Sequence, residues 1–140
     1  DHGFSAGRWI TPETAEPPGM RAPEPAEHRV LAPAGRRIHA RRATDGRLWI
    51  DFADLCRYPT STADYLSLAT QFAHWTISGI PDLRREDRES AQRFANVVDV
   101  LYDRDVTVDF LAATTREDLT GDTRLPRDID RILSRLGQLR

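Results

Sequence analysis

Two short runs of apolar and β-branched residues, with a long amphipathic stripe between them, dominate the second half of the chain. Trp75, Thr76, Ile77, Ser78, Gly79 and Ile80, closed by Pro81, predict a buried strand and its exit. Val106, Thr107, Val108, Asp109, Phe110 and Leu111 predict a second strand. Between them Ala91, Phe94, Ala95, Val98, Leu101 and Tyr102 recur at helical steps, with Arg88, Glu89, Gln92, Arg93, Asn96, Asp99 and Asp103 on the other faces. Two strands joined by a helix of this length predict a parallel, right-handed crossover.

The same pattern extends upstream. Residues 28–34 and 36–43 predict an antiparallel hairpin bent at Ala34-Gly35-Arg36, with Pro33 confining its first strand to an edge. Asp45-Gly46 is a turn signal, and residues 48–52 predict the next strand. Residues 53–57 suggest one helical turn, stopped at Tyr58-Pro59. Ser61 with Asp64 forms a helix-start pair, and Tyr65, Leu68, Ala69 and Phe72 mark the apolar face of a helix over 62–72. A second βαβ unit therefore precedes the first. Downstream, a short helix is expected over 116–119 and a loop at Thr120-Gly121-Asp122. A last helix is expected from Arg127, striped by Ile129, Ile132, Leu133, Leu136 and Leu139. The expected fold is α/β: a small, mostly parallel sheet built from two βαβ units with flanking helices, behind an antiparallel hairpin. Residues 1–27, with Pro12, Pro17, Pro18, Pro23 and Pro25, are expected as an extended arm, and residues 28–140 as a single α/β domain. Phe4, Trp9 and Ile10 are the exceptions in the arm and are expected to dock on that domain.

Composition narrows the function classes. The 140 residues, 39% hydrophobic with net charge -2, fit one soluble domain and give no case for nucleic acid or an anionic membrane. No apolar stretch reaches transmembrane length. The single cysteine, Cys56, rules out an internal disulfide and points to the cytoplasm. All 20 Lys and Arg residues are arginine, which excludes a P-loop lysine, a Schiff-base lysine and a lysine general base in this chain. The first residue is Asp1 rather than methionine, so a piece of a longer protein is expected.

Candidate chemistry is sparse. Asp51 and Asp54 fall at the carboxyl end of a predicted parallel strand, the edge where open α/β sheets bind ligands. They could serve as nucleophile or magnesium ligand, but with no second acidic pair or phosphate loop nearby a capping or turn role is the better reading. His2, His28, His39 and His74 stand at no metal-ligand spacing with each other or with Cys56, which reads as a buried inert thiol. Arg36, Arg37, Arg41 and Arg42 form a basic patch around His39, without the aromatics of a nucleic-acid surface. Arg127, Arg131 and Arg135 repeat at four-residue spacing on the last helix, where like charges repel. Either a carboxylate of the domain, a partner or a phosphate compensates them, or they lie on a solvated face that tolerates the repulsion.

In order and spacing, several segments together resemble the carboxyl-terminal part of the ZapE family of AAA+ ATPases, division-associated bacterial proteins with mitochondrial relatives. The segments are Gly3-Phe4-Ser5-Ala6-Gly7-Arg8-Trp9, Trp49-Ile50-Asp51-Phe52-Ala53-Asp54-Leu55-Cys56, residues 61–69, Arg93-Phe94, residues 98–103 and Arg131-Ile132-Leu133-Ser134-Arg135-Leu136. Departures at Ile132, Ala112-Ala113 and the ending Gly137-Gln138-Leu139-Arg140, with the all-arginine usage, suggest a divergent branch of actinobacterial type. The resemblance implies an upstream module that binds ATP and magnesium. It also implies contacts to that module, to further copies of the chain, and to FtsZ or another client protein. It makes Arg131 and Arg135 candidates for contact with nucleotide or a neighbouring subunit, and Arg127 a candidate for partner binding. No catalytic residue, metal ligand or cofactor is expected in this chain itself. Two rival readings are a stand-alone, non-catalytic interaction module using the arginine stripe, and a small hydrolase or metal enzyme built on Asp51 and Asp54.

Overall fold

In the computed structural model, which describes residues 3–12, 20–119 and 129–139, the chain opens with a 3-10 turn (Gly3–Ala6) and the short strand β1 (Arg8–Ile10). A second such turn (Pro25–Glu27) leads to β2 (Arg29–Leu31), β3 (Ile38–Ala40), β4 (Arg42–Thr44), β5 (Arg47–Asp51) and the single-turn helix α1 (Phe52–Cys56). Helix α2 (Thr62–Gln71), β6 (His74–Ile80), α3 (Arg88–Asp103), β7 (Thr107–Ala112) and α4 (Ile129–Leu136) follow. One sheet has the order β1-β7-β6-β5-β4, and β2 with β3 forms a separate antiparallel pair. Strands β1, β7, β6 and β5 are mutually parallel, and β4 turns back antiparallel on β5. The α/β class and both parallel crossovers are as the apolar periodicity predicts.

Strand register sorts the side chains onto two unlike faces. Ile50, Ile77, Phe110 and Trp9 align in one row, next to Leu48, Trp75 and Val108. Helix α3 covers this apolar face: Phe94 meets Phe110 edge-on at 6.3 Å and Phe52 at 5.7 Å. The opposite face carries Trp49, Thr76, Asp109 and Arg8 in one row, with Arg47, His74 and Thr107 in the next. A parallel sheet is ordinarily apolar on both faces because helices cover both. Here the second face is polar.

The caps follow from sequence. Ser61 and Asp64 close a reciprocal capping box on α2, and Asp87 accepts the Ser90 amide at 2.7 Å to start α3. Asp45 and Gly46 both hold positive φ, at 53° and 74°, the geometry that suits a two-residue hairpin between β4 and β5.

Three expectations change. Phe4, Trp9 and Ile10 dock as expected, but Arg8–Ile10 does so as a full edge strand, paired in parallel with β7 rather than laid on as an arm. Gly7 permits this approach: a Cβ there would lie 2.1 Å from the Val108 carbonyl oxygen. The predicted strand over 36–43 breaks at Arg41, because burial alternates through Ile38 and Ala40 and then resumes out of phase at Ala43. The first piece stays with β2 and the second joins the main sheet. Residues 116–119 form a turn rather than a helix, closed by Leu119 N–H donating to the Arg116 carbonyl. The expected loop at Thr120-Gly121-Asp122 and the start of the last helix at Arg127 lie outside the described residues.

Candidate functional site

Helix α4 packs on α3 through Ile132 and Leu136, both fully buried. That contact brings the arginine stripe over the polar flank of α3. Arg131 donates to Asp99 Oδ2 at 2.6 Å through Nη2 and to Oδ1 at 3.3 Å through Nε, and Arg135 Nη1 donates to the same Oδ1. The Arg135 guanidinium also lies 4.6 Å from the Tyr102 ring centroid, while Gln138 donates to the Tyr102 hydroxyl at 3.0 Å. A carboxylate of the domain therefore offsets the repulsion between these two arginines. Their environments differ: the Arg131 side chain is 51% exposed and that of Arg135 20%. Arg127 lies outside the described residues.

A second polar assembly occupies the sheet face opposite α3. Asp109, 3% exposed, accepts from Arg8 Nε at 3.0 Å and Nη2 at 3.1 Å, and its Oδ2 lies 3.0 Å from His74 Nε2. Burial pushes the Asp109 carboxyl up, but the hydrogen bonds with His74 and Arg8 outweigh it, leaving the group below its ordinary range. This triad joins β1, β7 and β6 at the amino ends of β1 and β6. The sequence carried one signal for it: a lone carboxylate inside a β-branched run has to find a partner when the strand is buried.

At the carboxyl edge of the same face lies an open cleft of about 500 Å³. Ile10, Met20, Trp49, Ser78, Leu111 and Ala112 are among its walls. A hydrogen-bond chain fixes one side: Trp49 Nε1 donates to Ser78 Oγ at 2.9 Å, and Ser78 Oγ donates to Asp51 at 2.5 Å. The guanidinium groups of Arg41 and Arg42 lie 5.9 Å and 5.6 Å from the Trp49 ring. A register shift in β6 between Ile77 and Ile80 bends the strand at this edge.

Asp51 and Asp54 sit where the sequence places them, but they form no paired acidic site. Asp51 occupies the position before α1 without capping it; its carboxylate turns to Ser78 instead. Burial, followed by the Asp51 charge, raises the Asp54 carboxyl. His28 and His39 stack across the β2–β3 pair with Nε2 and Nδ1 2.8 Å apart. Among the described residues no group of three or more His, Cys, Asp or Glu could hold a metal ion. Burial drives the Cys56 thiol far above its usual range. No helix of the described residues is long and apolar enough to cross a membrane.

The mostly parallel sheet, with α3 and α4 packed together beside it, defines a mixed α/β domain. The chain belongs to the AFG1-like ATPase family, whose match runs over residues 17–140, in agreement with the ZapE-type resemblance. It is 38% identical over 80 residues to an uncharacterized protein of Schizosaccharomyces pombe, covering 57% of this chain and 18% of that protein. It is 33% identical over 84 residues to lactation elevated protein 1 homolog B of Danio rerio, covering 60% of this chain and 17% of that protein. The chain thus spans less than a fifth of the length of these curated relatives. No solved structure gives a significant match.

Proposed function

We propose that this chain is the carboxyl-terminal domain of an AFG1/ZapE-type ATPase. In this reading it completes the ATPase body and contacts subunits or a client protein in the cytoplasm, while an amino-terminal module handles ATP and magnesium. The observation that carries the reading is the family match over residues 17–140. The residues present here do not themselves fit a magnesium–ATP site. A phosphate cradle needs glycine-freed backbone N–H groups at a helix start and a lysine. This chain contains no lysine, and β5 runs into α1 through Asp51-Phe52 without a glycine. No step of hydrolysis is assigned to it.

Within that reading, Arg131 and Arg135 divide the work. Arg131, half exposed, is the arm that reaches nucleotide or a neighbouring subunit, exchanging Asp99 for an incoming anion. Arg135, held by Asp99 and Tyr102, keeps α4 in place. Arg127 is proposed to bind a partner on the same helix. The client is a protein, with FtsZ as the first to test, and further copies of the chain are candidate neighbours.

The test is reconstitution of this chain with its amino-terminal module. Association and ATP turnover are expected from the pair and no turnover from this chain alone. Arg131→Ala is expected to cut turnover or association at least about tenfold, the loss of one charge-assisted contact, with melting nearly unchanged. Turnover by this chain above a boiled control overturns the proposal. So does a native protein with a mass near 15.9 kDa in its own cells, which would favour a stand-alone interaction module.

A further inference from the structure

The cleft at the carboxyl edge of the sheet has the composition of a binding site for a small organic anion, and neither the ATPase reading nor the family match assigns it one. Its walls are mainly apolar, supplied by Ile10, Pro12, Met20, Leu111 and Ala112. Arg41 is the one charged side chain among the described residues that line it. An apolar chamber of this size with a single cation on its wall selects a ligand with an apolar body and one negative head. Its position outside the carboxyl ends of β1, β6 and β7 is where open parallel sheets leave room for ligands.

Arg41 is available for that role. Its nearest carboxylate oxygen, on Asp51, is 3.7 Å away, beyond hydrogen-bond range, and Asp51 already accepts from Ser78 at 2.5 Å. No other hydrogen bond engages the Arg41 guanidinium among the described residues; its remaining contact is the Trp49 ring. The wall behind it is rigid, because the Trp49–Ser78–Asp51 chain fixes the indole and the hydroxyl in place. A fork of unused N–H donors beside a preformed apolar wall matches a carboxylate, sulfonate or phosphate head on a compact ring or short alkyl body.

We propose that this cleft binds a small apolar monoanion, with the head on Arg41 and the body against Ile10, Leu111 and Ala112. The probes are anilinonaphthalene sulfonate, which has an apolar body and one anionic head, and N-phenylnaphthylamine, a related apolar probe without the head. The full chain is expected to bind one sulfonate probe, quenching Trp49. Arg41→Ala is expected to weaken the sulfonate probe at least about tenfold, to leave the neutral probe nearly unchanged, and to be rescued in part by Arg41→Lys. Ala22→Trp, at an exposed position on the cleft wall, is expected to block both probes while the melting temperature stays the same. Competition by naphthoate against naphthyl phosphate then distinguishes a carboxylate head from a phosphate head. The proposal is overturned if Arg41→Ala binds the sulfonate probe as the wild type does. It is equally overturned if Ala22→Trp leaves binding intact, or if the folded wild-type chain binds no sulfonate probe. These readouts need no ATPase module, so their failure leaves the proposed function standing.

Discussion

Replacing Asp109 by alanine tests whether the polar face of the sheet is held together by the Arg8–Asp109–His74 triad. The substitution removes an acceptor for two hydrogen bonds from Arg8 and one contact with His74. Bonds to a charged group contribute about 1.5–3 kcal/mol each when well shielded. The Arg8 and His74 side chains are 41% and 28% exposed, so both rehydrate once released, and their share is discounted accordingly. The expected loss is about 3 kcal/mol, or roughly 12 °C in melting temperature for a domain of this size. Urea unfolding followed by tryptophan fluorescence, with calorimetry, measures it. A double-mutant cycle with Arg8→Ala isolates the pair, and a coupling of about 1 kcal/mol or more is expected. Coupling within about 0.3 kcal/mol would mean the contact carries no energy, and the argument fails. The pH dependence supplies a second check. Asp109 titrates below its ordinary range in the folded chain, so its stabilisation is present above the unfolded carboxyl value of about 3.9 and disappears as pH falls through the lower folded value. The gap between wild type and Asp109→Ala is therefore expected to narrow below about pH 4.

Gly7→Ala is expected to push β1 off β7, because the new methyl would meet the Val108 carbonyl oxygen and neither backbone can yield. A loss of about 2–3 kcal/mol and rapid proteolysis of the first residues are expected, and wild-type melting would refute the close approach. Cys56, fully buried with its thiol held protonated, is expected to resist alkylation in the native chain and to react only at the rate of unfolding. Fast labelling without loss of tryptophan signal would contradict that burial.

The elements most legible in the sequence are those with local causes. The stripe through Ala91, Phe94 and Val98 defines α3, and the Ser61–Asp64 pair defines the start of α2, since helix period and capping act within a few residues. The Asp45-Gly46 turn is legible for the same reason. What the sequence hides is pairing at a distance. The repulsion along Arg131 and Arg135 is visible in their spacing, but its solution is not, because Asp99 is one of several carboxylates on the outer face of α3. Asp51 illustrates the converse: its position before α1 suggests a cap, while the partner that claims it, Ser78, comes from a neighbouring strand. The break at Arg41 was present in the phase of Ile38, Ala40 and Ala43.

The first strand of the sheet sits beside the last. Phe4 N–H reaches Asp105, Arg8 reaches Asp109 and Trp9 reaches the Thr114 carbonyl, each across more than a hundred residues of chain. On a ribosome, β1 therefore leaves the exit tunnel long before β7, its partner in the sheet, exists. The hairpin, the first crossover and α3 can assemble while it waits, but the edge beside β7 closes only once residues 107–112 have been made. Such long loop closures slow folding, and an unfilled strand edge is open to pairing with the wrong chain in the interval. Moving residues 3–12 to follow β7 through a crossover linker of about a dozen or more residues, the length a parallel pair needs, would turn that late, distant closure into a more local one, and refolding is expected to become faster.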